Sequence, residues 1–221
     1  MSNRIWIVVV ALLLSLRVGA VELDSLNRDS GYVASIVKRS EKIVDGLNVA
    51  DAAARQEVVN IIANRYFQLN DIYSARDKKV AEAKETLIGD AKNAALAEAK
   101  AEADAALYRS HFAFPAALSL WLSNEQIEGV KDGMTFNVLN VTYAAHLDMV
   151  PTLKEEEKAQ IYAWLVEARE YAMDAENSKK KHETFGKYKG RINNYLTKQG
   201  YNLTKEREAW AERVKARGGT L

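Results

Sequence analysis

The sequence predicts an all-α fold, a helical bundle with a long alanine-rich helical extension or hairpin. Its 221 residues contain only two prolines, Pro115 and Pro151, and one glycine between positions 52 and 107. Apolar side chains recur every three to four residues through most of the chain, the period of helices with one buried face. That leaves little room for strands.

The N-terminus is set apart from this fold. A positive charge at Arg4 precedes an apolar run from Ile5 to Leu16, and Val18, Gly19 and Ala20 are small residues before a cut. This order is that of a secretory signal peptide over residues 1–20, with one helical domain over 21–221. The run of roughly 12 apolar residues is short of the about 20 that an anchor needs, so no stable membrane anchor is expected after processing. The expected location is periplasmic or secreted.

The first helix of the domain is expected over residues 32–47, with Val33, Ile36, Val37, Ile43 and Val44 inward. Asp51 then offers a carboxylate to the free amides of a second helix. From Ala52 to Leu107 an unbroken helix would reach roughly 80 Å, too long for a compact domain of this size, so it must bend, break or project. Its first part carries Val58, Ile61, Ile62, Tyr66, Leu69 and Tyr73; its second, about residues 78–107, carries a narrow seam of Ala91, Ala95, Ala99, Ala103 and Ala106. Alanine lets a neighbouring helix approach closely. Ser123 with Gln126 forms a capping box, and Thr152 with Glu155 a second. Between them, MTFNVLNVTY predicts a threaded loop. Helices are expected from the second box through Met173, over 180–199 and over 204–216.

Composition removes several function classes. With no cysteine, the chain has no disulfide, no lipid-acylated cysteine, no zinc–thiolate site and no thiol nucleophile. The net charge is +1, and subtracting Arg4 and Arg17 with the leader leaves −1, so no global field points to nucleic acid or to a membrane surface. Phosphate loops, dinucleotide fingerprints, HExxH and nucleophile elbows are missing. His111, His146 and His182 are scattered without metal-ligand spacing, so neither metal nor cofactor is expected.

Charge is instead segregated locally. Residues 179–198 hold six lysines and one arginine against the single acid Glu183. On a helix, His182, Phe185, Tyr188, Ile192 and Tyr195 share one face, and burial explains them first. Lys187, Gly190, Arg191 and Asn194 share another. Either this is a solvated basic surface, or it is a platform on which Arg191 meets a carboxylate and tyrosines stack on a sugar ring. In LNDIYSARD, Asn70, Asp71, Arg76 and Asp77 share one helix, where Asp71 and Arg76 pair locally or face a cleft. In KDGMTF, Asp132 and Thr135 flank a glycine, which turn chemistry alone explains.

KDGMT at 131–135, LDMVP at 147–151, LNDIYSARD, and WLVEAREYAMDAENSKKKHETFGKYKGRINNYLTKQGYNL from Trp164 resemble an uncharacterised, domain-of-unknown-function family of exported all-helical proteins. That family occurs in Gram-negative bacteria that degrade polysaccharides, often beside pectin- and plant-glycan-processing genes. The resemblance implies a role for the block at 185–196, for Asp132, and for Asn70, Asp71, Arg76 and Asp77. This chain has Tyr73 where the family more often has histidine.

The reading that follows is an accessory or binding protein in acidic plant polysaccharide utilisation, with Lys187, Tyr188, Lys189, Arg191, Asn194, His182, Asp71, Arg76 and Asp132 as ligand-binding candidates. An alternative is a lyase or glycoside hydrolase acting on uronate-containing glycans. In a lyase, Arg191 or Lys187 would neutralise the carboxylate while His182, Tyr188 or Lys189 removes the adjacent proton. A hydrolase would need two facing carboxylates, such as Asp71 and Asp132. A periplasmic chaperone or stress protein is a third reading, from the capped, long amphipathic helices.

Overall fold

A computed structural model describes residues 20–220; the leader expected over residues 1–20 falls, but for Ala20, outside the described residues. Among the described residues the chain is all-α and without strands. Its helices are α1 Ser30–Asp45, α2 Ala52–Thr86, α3 Gly89–His111, α4 Ala113–Leu118, α5 Asn124–Met134, α6 Val138–Met149, α7 Glu155–Met173, α8 Ser178–Lys198 and α9 Leu203–Ala216. No helix among the described residues is long and apolar enough to cross a membrane.

Local chemistry sets several boundaries. Asp51 accepts from the Ala53 amide at 2.9 Å and opens α2, and Ser123 and Gln126 form the reciprocal capping box of α5. The long pattern after Ala52 breaks at Leu87 and Ile88, both extended, and Gly89 takes φ +56°, a conformation that glycine adopts without a Cβ penalty. The alanine-rich segment therefore runs back along α2, with Ala99 and Ala103 buried and Ala83 buried on α2.

Two expectations are corrected. The box at Thr152 does not form: α7 starts at Glu155 with Lys154 at its cap, and Glu157 accepts from the Lys154 amide at 2.9 Å. The threaded loop is a three-residue turn, because Phe136 and Asn137 both adopt positive φ and redirect the chain into α6. Asn tolerates that region through local hydrogen bonding, but Phe136 is less usual there.

Two apolar clusters hold the helices together. One joins α1, α2, α4 and α5 through Val44, Val58, Ile62, Leu118, Val130 and Met134, and reaches α7 at Met173. The other joins α6 to α9 through Leu139, Ile161, Leu165, Phe185, Ile192 and Leu196. Phe185, Ile192 and Leu196 are fully buried, so the apolar face of the basic helix is core. The buried register begins at Lys181, one residue before His182; the latter is exposed and stacks on Phe136 with ring centroids 5.4 Å apart.

Candidate functional site

The antiparallel α2–α3 pair and the α7–α8 pair enclose a cleft of about 840 Å³. Its walls are tied together by Asp174, the residue just after α7. The Asp174 carboxylate accepts from Arg65 of α2 at 2.5 Å and lies 2.7 Å from His111 Nδ1 of α3, while its carbonyl accepts from the Tyr73 hydroxyl at 2.7 Å. Arg65 is 3 % exposed and also donates to Gln68 and Ser110. The start of one short loop thus ties α2 and α3 to the end of α7, and a buried guanidinium receives the counter-charge it needs.

Aromatic side chains line the walls. Tyr108 on α3 is 71 % exposed and Tyr171 on α7 is 64 % exposed, and both border the cleft together with Tyr73 and Tyr188. Burial, with the Asp174 charge beside it, pushes the Tyr73 phenol up to about 12. Burial and the Glu167 carboxylate likewise push Tyr188 up to about 12. At neutral pH both phenols keep their protons and do not act as bases; Tyr73 already gives its proton to the Asp174 carbonyl, so toward a ligand its oxygen accepts.

The rim is charged, but most of its charges are matched. Arg76 pairs with Asp77 at 2.6 Å and Glu176 at 2.9 Å, Lys180 pairs with Glu183 at 2.8 Å, and Lys100 pairs with Asp104. Glu170 is held by Lys131 at 3.1 Å. Among the described residues Lys187 is the cleft cation that makes no ion pair, and it is exposed beside Tyr188.

Of the residues singled out from sequence, the cleft brings together Arg76, Lys187 and Tyr188. The others lie elsewhere. Arg191 has its guanidinium 4.6 Å over the Trp164 ring and 3.4 Å from Glu167. Lys189 and Asn194 are exposed on α8, and the glycines at 186 and 190 face open space. His182 is on the Phe136 side. Asp71 does not pair with Arg76; it accepts from Arg28 at 2.8 and 2.7 Å, and those hydrogen bonds hold its carboxyl below the usual range. Asp132 accepts from Arg169 at 2.8 Å and Asn140 at 2.9 Å, and its carbonyl closes the turn to Thr135 and Asn137. Asp71 and Asp132 line different depressions rather than one.

Sequence reasoning missed His111, Asp174, Tyr108 and Tyr171. Tyr108 and His111 sit three apart where YRSHF ends the alanine-rich run, a change of composition that marks a different environment. His146, in contrast, is buried with Nδ1 2.7 Å from the Thr142 carbonyl, and burial lowers its pKa.

The arrangement can grip a ligand that offers apolar ring faces, hydroxyls and a carboxylate. Stacking would fall to Tyr108 and Tyr171, hydrogen bonding to the phenols, and charge recognition to Lys187. It also contains an imidazole, His111, set between two carboxylates, with Nδ1 2.7 Å from Asp174 and Nε2 3.7 Å from Glu170. No curated protein matches the chain. The family model described as protein of unknown function, DUF3826, matches residues 33–216, and the chain belongs to that family.

Proposed function

We propose that the protein is exported and that the α2–α3–α7–α8 cleft binds a uronate-bearing oligosaccharide, as an accessory binding protein in the handling of pectin-type plant polysaccharide. The carrying observation is the pairing of exposed Tyr108 and Tyr171 with the unpaired cation Lys187 around one cleft of about 840 Å³, within the size range of small-ligand sites. Sugar rings present C–H faces to aromatic side chains, and a uronate adds the carboxylate that Lys187 lacks. The family resemblance supplies the glycan context.

Export has its own support at the N-terminus of the described chain. The Val21 nitrogen lies 2.6 Å from Glu57 Oε2, and Asn60 and Asn64 of α2 hold the Val21 and Glu22 carbonyls at 2.7 and 2.8 Å. Cleavage after Ala20 would turn that nitrogen into an ammonium already facing a carboxylate.

Calorimetric titration with oligogalacturonides, and with their methyl esters as controls, tests the reading. The acid form should bind at low salt, the ester more weakly, and Tyr171→Ala and Lys187→Ala should each weaken binding. Arg191→Ala should leave it unchanged, because Trp164 and Glu167 already engage that guanidinium. No binding by the wild type, or equal binding by all variants, rejects the proposal.

A second reading is cleavage of the same ligand, favoured by one observation, the His111–Asp174 contact at the cleft wall. It requires release of new reducing or unsaturated ends from the bound oligosaccharide, lost in His111→Ala while retention persists. Retention without product leaves binding as the activity.

A further inference from the structure

We propose that a second pocket, between α1, α2 and the start of α8, binds a small oxyanion (a phosphate, sulfate or carboxylate group) between Lys181 and Arg39. The inference does not rest on the glycan reading, because its cations and its probes are different.

Lys181 is 5 % exposed, and its ammonium donates to the Met173 carbonyl at 3.0 Å. An ammonium has three donors, and among the described residues this one makes no ion pair. A buried charge without a counter-charge is costly, and the group either finds an anion or shifts toward its neutral form. Arg39 of α1 lines the same pocket, of about 670 Å³, with its guanidinium 5.5 Å from the Tyr66 ring centroid. It too makes no ion pair among the described residues. Two cations therefore share one pocket, and their mutual repulsion is relieved by an anion placed between them.

The acids nearby are already engaged. Asp77 and Glu176 on the pocket wall both pair with Arg76, and Asp174 is taken by Arg65 and His111. The pocket also receives the N-terminus of the 21-residue helix α8 through Asn177 and Ser178. Asn177 caps the Lys180 amide, so the amides of Ser178 and Lys179 remain at the positive end of the helix dipole. Ser35 and Ser74 add neutral hydroxyl donors on the α1 and α2 walls. A buried lysine, an arginine, a helix N-terminus and hydroxyls converging on a cavity form the donor set of an oxyanion site.

Titration of the purified protein with sodium phosphate, sulfate, acetate and formate, each against sodium chloride at equal ionic strength, tests it by melting temperature and calorimetry. At least one oxyanion should give a saturable rise in melting temperature that chloride does not. A response to phosphate and sulfate alone assigns a tetrahedral anion or its ester; a response to acetate and formate alone assigns a carboxylate; both support the site. Lys181→Met should melt higher than wild type in chloride, yet lose the oxyanion-dependent rise. Arg39→Gln should bind at least tenfold more weakly without a lower melting temperature in chloride. If chloride matches every oxyanion, or if Arg39→Gln binds as the wild type does, the site does not exist. Because the probes are small ions, loss of this site leaves oligogalacturonide binding in the cleft untouched, and the reverse holds as well.

Discussion

Replacing Lys181 by methionine should stabilise the protein at neutral pH and flatten its pH dependence. Burial pulls this amine down to about 8 from the ordinary 10.5, with Asp174 opposing the effect and Arg39 and Arg65 adding to it. Below pH 8 the amine is protonated in both folded and unfolded chains, so the full cost of burying the charge stands. Between about 8 and 10.5 the unfolded chain keeps a proton that the folded chain has released, and stability rises with pH. Two and a half pH units at 1.36 kcal/mol each set this cost at about 3 kcal/mol for a group so little exposed. Methionine has similar length and no charge, but it strands the Met173 carbonyl, at a cost of about 1 kcal/mol. The net gain at pH 7 is then about 2 kcal/mol. Urea unfolding followed by helical circular dichroism at pH 7, 8, 9 and 10, in chloride buffers without oxyanions, reads both quantities. Tyr66, Tyr73 and Tyr188, pushed up to about 12 chiefly by burial, pull the other way as their unfolded phenols ionise around pH 10, so the lysine slope is read from pH 8 to 9, and at pH 10 as the difference between wild type and variant. A wild type that is flat from pH 8 to 9, or a variant that keeps the wild-type slope, refutes the reasoning.

Two further outcomes are expected. Phe185→Ala removes a fully buried ring from the α7–α8 core and should cost about 3 to 5 kcal/mol in urea unfolding, whereas Arg191→Ala, exposed over Trp164, should cost no more than about 1 kcal/mol. Intact-mass analysis of protein purified from an exporting host should find Val21 as the first residue, and a chain retaining residues 1–20 in the membrane fraction would reject processing at Ala20.

The fold was legible where its causes are local. Asp51 and Ser123 cap their helices because a side-chain oxygen two or three residues from an amide needs nothing distant to reach it. The break before α3 was legible as a length argument, and its place follows from Gly89, the one glycine in that segment. The turn into α6 was not, since nothing in the identity of Phe136 favours a left-handed backbone. The face expected on α8 holds at Phe185 and Ile192, with Tyr188 and Tyr195 half-buried beside them, but at the start of the helix Lys181 is buried in place of His182. A helix of 3.6 residues per turn lets a stripe drawn at threes and fours drift, and His182, aromatic, looks more like core than Lys181 does.

The site was less legible because its organising contacts are long-range. Arg65 and Asp174 are 109 residues apart, and His111 and Asp174 are 63 apart. No local pattern distinguishes Arg65 from the solvated arginines on the same helix; only its partner across the fold does. The same holds for Arg169, buried on α7 and held by Asp132 and Glu128 of α5. A periodicity argument places every charge on the outside, which succeeds for residues such as Lys189 and fails for a basic side chain whose counter-charge comes from another element. Lys181 departs from both patterns. It is buried like Arg65 and Arg169, yet no acid of the described fold pairs with it; Asp174, bound by Arg65 and His111, offsets its charge only in part, and its one hydrogen bond is to a carbonyl. A sequence pattern reads it as surface, and packing alone would favour an apolar residue there. Stability therefore gives no reason for a lysine at this position, whereas an anion shared with Arg39 does.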